Sequence, residues 1–208
     1  MSVTALVMAG GKATRMGGNV EKPMLQVAGK SMLQHVIDAL KPVHSINRIV
    51  VAASSNTPNT TVEASELGVE TLTTPGDGFE EDMRFAIRKL GLEDVLVVSA
   101  DLPLITSVIV REAIQLYHSS GKPALAVMTK VENYERLGVK PQYVFEVDGQ
   151  QLSAVGINLV DGRRIGEKEL DQEVLIVDSQ DVILNVNNSE ELELARKRSA
   201  SVRGKMSK

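Results

Sequence analysis

The most chemically suggestive part of the sequence is a glycine-rich segment near its beginning, LVMAGGKATRMGGNVEKPML (residues 6–25). Its glycines leave backbone N–H groups accessible to an anion, and its cationic side chains can neutralise phosphate oxygens. The glycines are Gly10, Gly11, Gly17 and Gly18, and the cations are Lys12, Arg15 and Lys22. The segment predicts a polyphosphate-binding loop, with a glycine turn carrying solvated charges as the alternative.

Two established phosphate-binding fingerprints do not fit this segment. A dinucleotide fingerprint needs the spacing G-x-G-x-x-G, which these glycines lack. A Walker A loop could end at Gly29-Lys30-Ser31, but Met24 stands where its first glycine belongs. A longer glycine loop of another kind remains.

Few other residues suggest acid–base or metal chemistry. The chain has no cysteine, which excludes disulfides, thiolate catalysis and cysteine zinc sites. Its three histidines, His35, His44 and His118, lack the spacing of metal ligands. A carboxylate, Asp101, directly follows the apolar run VLVVSA and therefore falls at the carboxyl end of a predicted strand.

The elements that must position these residues alternate between strand and helix patterns. Apolar, β-branched runs predict strands at 4–9, 48–53, 69–74, 94–100 and 123–129. Helices are predicted at 31–40 after the N-cap Ser31, at 79–91 ending on Gly91, and at 106–121 between Thr106 and Gly121. This alternation predicts an α/β domain whose mostly parallel central sheet is covered on both faces. Ligands of such sheets bind beyond the carboxyl ends of the strands, where the glycine loop and Asp101 fall.

The pattern changes after residue 130. The stretch 143–160 predicts a C-terminal hairpin that turns at Asp148 and Gly149. VILNV (182–186) predicts a last strand, and SEELELARKR (189–198) a last helix. We expect one domain over residues 1–198 and a flexible tail over 199–208.

Composition limits the classes of protein that remain. The 208 residues are 43% hydrophobic and 24% charged, as in ordinary soluble domains. The net charge of −4 argues against a nucleic-acid partner, and no apolar run reaches the about 20 residues of a membrane span. Because only Met1 and Ser2 precede the first apolar run, no charged signal-peptide region is expected. These features indicate a cytoplasmic protein.

MAGGKATRMGG, followed by EKPML and VAGKSML, resembles the signature of nucleotidyltransferases that activate sugars, molybdopterin and other small phosphorylated molecules. Later stretches, including VVSADLPLI, AVGINLV and ILNVNNSEELELA, resemble one branch, the archaeal GTP:adenosylcobinamide-phosphate guanylyltransferases. The likeness runs from about residue 3 to about residue 196. It implies a Rossmann-like three-layer nucleotidyltransferase fold.

The resemblance also implies a reaction. Such an enzyme transfers GMP from GTP to adenosylcobinamide phosphate with Mg²⁺, and releases pyrophosphate, in cobalamin biosynthesis. A phosphate monoester is largely a dianion at neutral pH, so it needs no general base to become a nucleophile. The site must instead overcome repulsion between two polyanions by cations and positioning.

The resemblance assigns roles to the glycine-rich segment. Gly10 and Gly11 would bind the triphosphate through backbone amides, Arg15 would grip its outer phosphates with help from Lys12, and Lys22 would reach the α-phosphate. An exposed lysine before a proline turn is the alternative for Lys22.

Asp101 and Asn187 are the metal candidates that the resemblance implies. A carboxylate with phosphates and waters suits Mg²⁺. The alternatives are structural: Asp101 as the cap of the turn before Pro103, and Asn187 as part of a helix N-cap with Asn188 and Ser189.

Two further regions are expected to set specificity. The first, 54–60, follows the second predicted strand, and its small polar side chains, including Ser54 and Asn56, can hydrogen-bond a base edge. The second, 76–82, follows the third predicted strand, and its acids Asp77, Glu80 and Asp82 can accept from guanine, although negative charge in a helix's first turn is routine. Separately, Gly156 lies inside an apparent strand of the hairpin with Asn158 two residues on, and this glycine would admit a ribose or the acceptor.

Other functions share these features. A molybdenum-cofactor guanylyltransferase or a cytidylyltransferase would have the same loop and Asp101. A non-catalytic nucleotide-binding protein is the alternative from another class, and the presence of both Lys22 and Asp101 disfavours it.

Overall fold

The computed structural model describes residues 2–11 and 20–206. Its strands are β1 (Val3–Met8), β2 (Gln26–Val27), β3 (Lys30–Ser31), β4 (Ile46–Ser54), β5 (Glu70–Thr74), β6 (Asp94–Ser99), β7 (Ala124–Lys130), β8 (Phe145–Val147), β9 (Gln150–Asp161) and β10 (Gln172–Ile176). Its α-helices are α1 (Met32–Leu40), α2 (Pro58–Glu66), α3 (Phe79–Leu90), α4 (Ser107–Ser120), α5 (Val131–Leu137) and α6 (Ser189–Met206). Short 3-10 helices cover Lys22–Met24 and Gly162–Arg164.

Eight strands form one mixed sheet, in the order β10-β7-β9-β6-β1-β4-β5, with β8 paired to β9. β1 pairs in parallel with β4 and β6, β4 with β5, and β7 with β10, whereas β9 is antiparallel to β6 and β7. The chain leaves β1 toward one edge through β4 and β5 and returns to the other side at β6. Strand order therefore reverses between β1 and β6, which is where such sheets bind ligands.

Helices cover both faces of the sheet. One buried cluster joins the sheet to α1 and α4 through residues such as Leu33, Val36 and Val110. A second cluster on the other face joins β1, β4 and β6 to α3 through Ala86 and Ile87. The predicted three-layer α/β fold with a mostly parallel sheet is confirmed.

Local signals place the ends of the predicted helices. The Ser31 hydroxyl accepts the Gln34 N–H at 2.9 Å and begins α1, and Thr106 caps α4 in the same way. α3 and α4 end on Gly91 and Gly121, whose φ angles of 59° and 67° lie in the left-handed region that favours glycine. The hairpin turns at Asp148 and Gly149 as predicted, with positive φ at both residues.

The predicted last strand at 182–186 is wrong. That stretch makes turns and irregular backbone, and the last strand is β10, Gln172–Ile176. Val182, Ile183, Leu184 and Val186 are buried in two different clusters, so their apolar character reflects burial in a loop and not a ladder. Periodicity alone does not distinguish these two cases.

The C-terminal helix α6 begins at Ser189 as predicted and is described to Met206, so it overlaps the stretch 199–208. The domain boundary at 198 and the flexible tail stay predictions. Within residues 2–11 and 20–206, no helix is long and apolar enough to cross a membrane.

Candidate active site

The site is organised around a contact between Lys22 and Asp101. Lys22 lies in the 3-10 turn at the end of the glycine-rich segment, and Asp101 lies two residues beyond the end of β6. Lys22 Nζ donates to Asp101 Oδ2 at 2.5 Å and to Asn187 Oδ1 at 2.9 Å. The Lys22 and Asp101 side chains are 17% and 14% exposed, so the pair is shielded without being sealed from a ligand. The loops after β1 and β6 thus meet at the reversal of strand order.

Asn187 reaches the site because the segment after β10 is tied to Asp101. The Val186 N–H donates to the Asp101 carbonyl at 3.0 Å, which places the flanking residues Asn185 and Asn187 beside the Asp101 carboxylate. Asn185 Nδ2 lies 3.4 Å from Asp101 Oδ1. Asp101 and Asn187 therefore bind the Lys22 ammonium, and Asn185 contacts the other oxygen of the Asp101 carboxylate.

The helix cap next to Asn187 is formed by its neighbour. Asn188 Oδ1 accepts the Glu191 N–H at 2.9 Å, and the Glu191 carboxylate accepts the Asn187 N–H at 2.5 Å. This is a reciprocal capping arrangement at the start of α6. It leaves the Asn187 amide oxygen directed at Lys22 instead of at the helix.

The partners of Asp101 are side chains and not the turn before Pro103. Among the described residues, no backbone N–H donates to its carboxylate, which instead accepts from Lys22 and Asn185. Asn185 Oδ1 is buried without a hydrogen-bond partner in the described part of the chain. An unpaired buried oxygen beside a carboxylate is available to a ligand.

The first glycines of the loop lie against the turn after β4. The Ser54 hydroxyl donates to the Gly10 carbonyl at 3.0 Å. A Cβ on Gly10 would lie 3.2 Å from Ser54 Cβ and 3.3 Å from Ser54 N, so a side chain here would crowd the turn after β4. A Cβ on Gly11 would have no neighbour within 4 Å among the residues that the structure describes. Lys12 and Arg15 lie outside the described residues.

Residues 5–152 match the MobA-like NTP transferase domain family. The chain belongs to this family. Over 201 residues it is 32% identical to the adenosylcobinamide-phosphate guanylyltransferase of Methanocaldococcus jannaschii, covering 92% of this chain and 94% of that protein. It is also 31% identical over 106 residues to a molybdenum cofactor guanylyltransferase of a Shewanella species, covering 50% of each.

Solved nucleotidyltransferase structures share the fold at low identity. A CMP:2-keto-3-deoxy-manno-octonic acid synthetase complexed with CTP matches with a TM-score of 0.79 and 16% identity, over 97% of this chain and 99% of that one. A 4-diphosphocytidyl-2C-methyl-D-erythritol synthase of Anaerococcus prevotii matches with a TM-score of 0.70 and 12% identity, over 96% and 98%. The predicted family and enzyme class are confirmed, and the protein is a nucleotidyltransferase.

The two regions expected to set the nucleotidyltransferase's specificity come together at the ends of β4 and β5. A Cβ on Gly76, in the loop after β5, would lie 3.3 Å from Asn56 Nδ2 and 3.4 Å from Ser54 Cβ. Asn56 is exposed; its backbone N–H donates to the Ser54 hydroxyl at 3.2 Å, while its side-chain amide makes no hydrogen bond to the described residues. The Ser54 hydroxyl is engaged with Gly10, so Asn56 is the freer of the two to read a base.

The candidate guanine-reading acids separate into two kinds. Asp82 is 5% exposed, and its Oδ1 accepts the Gly76 N–H at 2.9 Å, so it holds its own loop. Asp77 and Glu80 are exposed, and neither accepts a hydrogen bond from the described residues. They are the two acids free to accept from a ligand.

The hairpin glycine is needed for protein packing. Gly156 has a φ of +82°, and a Cβ there would lie 3.2 Å from Asn185 Nδ2 and 3.2 Å from Ser99 Cβ. It thus admits Asn185 to the site. Asn158 is half-buried in the sheet, opposite Val97 and Ala126.

Sequence reasoning missed Asn185, Glu191 and Glu21. Asn185 has the same residue type as Asn187, two positions away, and Asn188-x-x-Glu191 is a capping signature that could have been recognised. Glu21 carries no local signal, because its partners are in α2.

The oxygen donors at the site fit a metal that arrives with a nucleotide. In the described ranges, no group of three His, Asp or Glu side chains could hold a metal ion. Asp101 supplies one carboxylate, and Asn185 and Asn187 supply amide oxygens, the hard donors that Mg²⁺ accepts. Nucleotidyltransferases of this kind typically use a divalent metal with their nucleotide substrate.

Proposed function

We propose that this nucleotidyltransferase transfers GMP from GTP to adenosylcobinamide phosphate, giving adenosylcobinamide-GDP and pyrophosphate in cobalamin biosynthesis. The observation that carries the proposal is the 32% identity to a guanylyltransferase of that name over 92% of this chain and 94% of the relative. The meeting of Lys22, Asp101 and Asn187 at the carboxyl edge of the sheet supports it.

The reaction needs positioning more than proton transfer. An oxygen of the acceptor phosphate attacks the α-phosphorus of GTP, and the bond from that phosphorus to the bridging oxygen of the β-phosphate breaks. Pyrophosphate leaves with the electron pair, and no proton has to move because the attacking phosphate is already a dianion. The site fits a reaction without proton transfer, because Asp101 and Asn187 bind the Lys22 ammonium and neither has to act as an acid or a base.

Lys22 is the group we assign to the α-phosphate. An ammonium has three N–H donors, and Asp101 and Asn187 accept two of them. The third can be offered to an α-phosphate oxygen, where negative charge grows as the nucleophile arrives. Arg15 and Lys12 are proposed for the outer phosphates, and the Gly10 and Gly11 amides for the triphosphate backbone.

Asp101 and Asn187, joined by the unpaired Asn185 Oδ1, would hold Mg²⁺. The metal would neutralise part of the charge that the nucleotide and the acceptor phosphate bring together. Lys22 occupies Asp101 Oδ2 and Asn187 Oδ1 in the structure. With a nucleotide bound, Lys22 would donate to the phosphates, first with its third N–H, and leave these oxygens to the cation.

Guanine recognition is proposed for the ends of β4 and β5. Guanine presents N–H donors at N1 and N2. Asp77 is an exposed carboxylate in the loop that meets Asn56, and Glu80 is an exposed carboxylate in the first turn of α3, directly after that loop. Asp82 is not proposed as a reader, because it holds Gly76.

A transfer assay tests the proposal. Purified protein is incubated with Mg²⁺, adenosylcobinamide phosphate and each nucleoside triphosphate, and pyrophosphate and corrinoid product are measured. We expect product with GTP, and none when molybdenum cofactor replaces the corrinoid. Product with molybdenum cofactor alone, or with CTP in preference to GTP, would replace this proposal by one of the related activities. Nucleotide binding without transfer to any acceptor would favour the non-catalytic alternative.

A further inference from the structure

Glu21, the residue before Lys22, is a buried carboxylate with an unusual number of partners. It is 8% exposed. Its Oε1 accepts the Asn59 backbone N–H at 2.8 Å and the Asn59 amide at 2.9 Å. Its Oε2 accepts the Thr60 backbone N–H at 2.7 Å and the Thr60 hydroxyl at 2.6 Å.

These contacts make Glu21 the cap of α2, supplied from outside the helix. Thr57 occupies the N-cap position of α2, but its side chain caps nothing. Its hydroxyl accepts the Ser54 N–H and donates to the Ser54 carbonyl, at 3.0 and 3.2 Å. The first free N–H groups of the helix, on Asn59 and Thr60, therefore turn to Glu21.

The turn after β4, which leads into α2, also contacts the beginning of the glycine-rich segment. Ser54 binds the Gly10 carbonyl, and Asn59 and Thr60 bind Glu21. Residues 54–60 thus contact the chain at Gly10 and at Glu21. They also include Asn56, which we propose as a reader of the base.

We propose that Glu21 is a positioning residue for Lys22, coupling residues 54–60, the nucleotide-reading turn, to the lysine that meets the α-phosphate. The inference rests on the proposed function. The Glu21 carbonyl accepts the Met24 N–H at 3.0 Å and so begins the turn that carries Lys22. A lysine side chain is long and flexible, so the position of its ammonium depends on how firmly its backbone is held. Glu21 acts on the reaction through Lys22 and touches no substrate.

If Glu21 only caps α2, a different result is expected. Combining Glu21→Gln with a substitution of Lys22 distinguishes this hypothesis from a positioning role. Glu21→Gln keeps the shape of the side chain but offers one acceptor oxygen where the carboxylate offers two. If Glu21 only stabilises α2, Glu21→Gln should change the turnover of folded protein little. Any change should then be the same in the presence and in the absence of Lys22. If Glu21 positions Lys22, its loss matters only while Lys22 is present.

The experiment compares wild type, Glu21→Gln, Lys22→Ala and the double variant, with kcat, KM and GTP dissociation constants measured on folded protein. Radiolabelled GTP allows the slow rates to be followed. We expect Glu21→Gln to lower kcat on the order of tenfold or more, with a smaller change in GTP affinity, and to have no effect on kcat beside Lys22→Ala. Equal factors in both backgrounds, or an unchanged kcat for folded Glu21→Gln, would overturn the inference.

Two further variants keep the test decisive. Ser31→Ala removes the cap of α1 and a 2.6 Å hydrogen bond to Glu63 of α2, so it matches the structural loss without touching Glu21. Its kcat should equal that of the wild type. If Glu21→Gln does not fold, Thr60→Val removes one donor to Glu21 and should show the same dependence on Lys22 at smaller amplitude. A wild type without transfer activity contradicts the proposed function itself, whereas additive variants of an active enzyme contradict only the role of Glu21.

Discussion

Lys22 and Asp101 have similar exposure and bind each other directly, although they lie 79 residues apart in the chain. An ion pair at this depth is not needed to hold a sheet whose strands are joined by buried aliphatic side chains. Both partners also keep unused capacity, a third N–H on Lys22 and further lone pairs on Asp101. The Lys22–Asp101 pair is therefore better explained as part of a ligand-binding site than as a structural ion pair.

The first prediction concerns Lys22. Lys22→Ala should lower turnover about a hundredfold, with a smaller loss of GTP affinity, because charge at the α-phosphate grows mainly in the transition state. Steady-state rates and calorimetric titration with GTP measure the two effects separately. Lys30→Ala is the matched control, since Lys30 forms a 2.5 Å pair with Asp38 in which both side chains are about 40% exposed. It should leave turnover unchanged, and full turnover in Lys22→Ala would refute the assignment of this lysine.

The second prediction concerns Asp101. Asp101→Asn keeps the size and one hydrogen-bonding oxygen but removes the charge that would hold Mg²⁺. Turnover should fall at least about a hundredfold, and added magnesium should restore part of it, because the defect lies in metal affinity. Rates across a magnesium series, with thermal melting of the same sample, check this. Asp38→Asn is the control, and near-normal rates of a stable Asp101→Asn protein at low magnesium would exclude the metal role.

At the scale of elements, the sequence predicts best what is decided locally. α1, α3 and α4 have apolar stripes, N-caps or C-terminal glycines within their own segments, and the structure confirms them. α2 has no such stripe, since its buried residues are Thr60 and Ala64, and its cap comes from Glu21, 38 residues earlier. The segment 182–186 shows the converse, because its burial in a loop imitates the pattern of a strand.

The same distinction applies to the site. Lys22 and Asp101 were predictable because one belongs to a recognisable signature and the other follows a strand. The roles of Asn185 and Glu21 depend on contacts with Asp101 and α2, which no local pattern encodes.

The third prediction concerns the cap of α2. Burial raises the pKa of Glu21, but the hydrogen bonds from Thr60 and Asn59 outweigh burial and hold the pKa below its ordinary value of 4.5. A folded-state pKa below the unfolded one stabilises the protein fully above pH 4.5, and this stabilisation is lost as pH falls through the lower, folded-state value. Glu21→Gln should therefore cost about 1–2 kcal/mol of unfolding free energy at neutral pH, and progressively less below pH 4.5.

Urea unfolding of wild type and Glu21→Gln across this pH range measures the difference. Thr106→Ala, which removes the uncharged cap of α4, is the control, and its cost should not depend on pH in this way. A cost of Glu21→Gln that stays constant with pH would show that the pKa of this carboxyl is the same in the folded and unfolded protein, and would contradict the prediction.

At the scale of the whole molecule, the site joins segments that are distant in sequence. The loop after β1 carries Lys22, the end of β6 leads to Asp101, and the segment after β10 carries Asn187. The nucleotide-reading turn lies toward β4 and β5, on one side of the strand-order reversal, and β9 and its hairpin lie on the other. We infer that GTP occupies the first side and leaves the second for the acceptor. A ligand bound across these segments links parts of the chain that separate on unfolding.

The last prediction follows from this linkage. A ligand that binds only the folded state stabilises it by about 2.7 kcal/mol at a hundred times its dissociation constant, which should raise the melting temperature by about 5–10 °C in a domain of this size. GTP with magnesium should produce such a shift.

ATP at the same concentration should produce a much smaller shift, because a site whose carboxylates accept from guanine leaves them unpaired beside adenine. We expect at least about a tenfold difference in affinity between the two nucleotides. In Asp101→Asn the GTP shift should persist but lose its dependence on magnesium, since the phosphates and base keep their other partners. Melting curves with all four nucleoside triphosphates, with and without magnesium, test both statements. Equal shifts for GTP and ATP would remove guanine selectivity while leaving the nucleotidyltransferase fold and family unaffected.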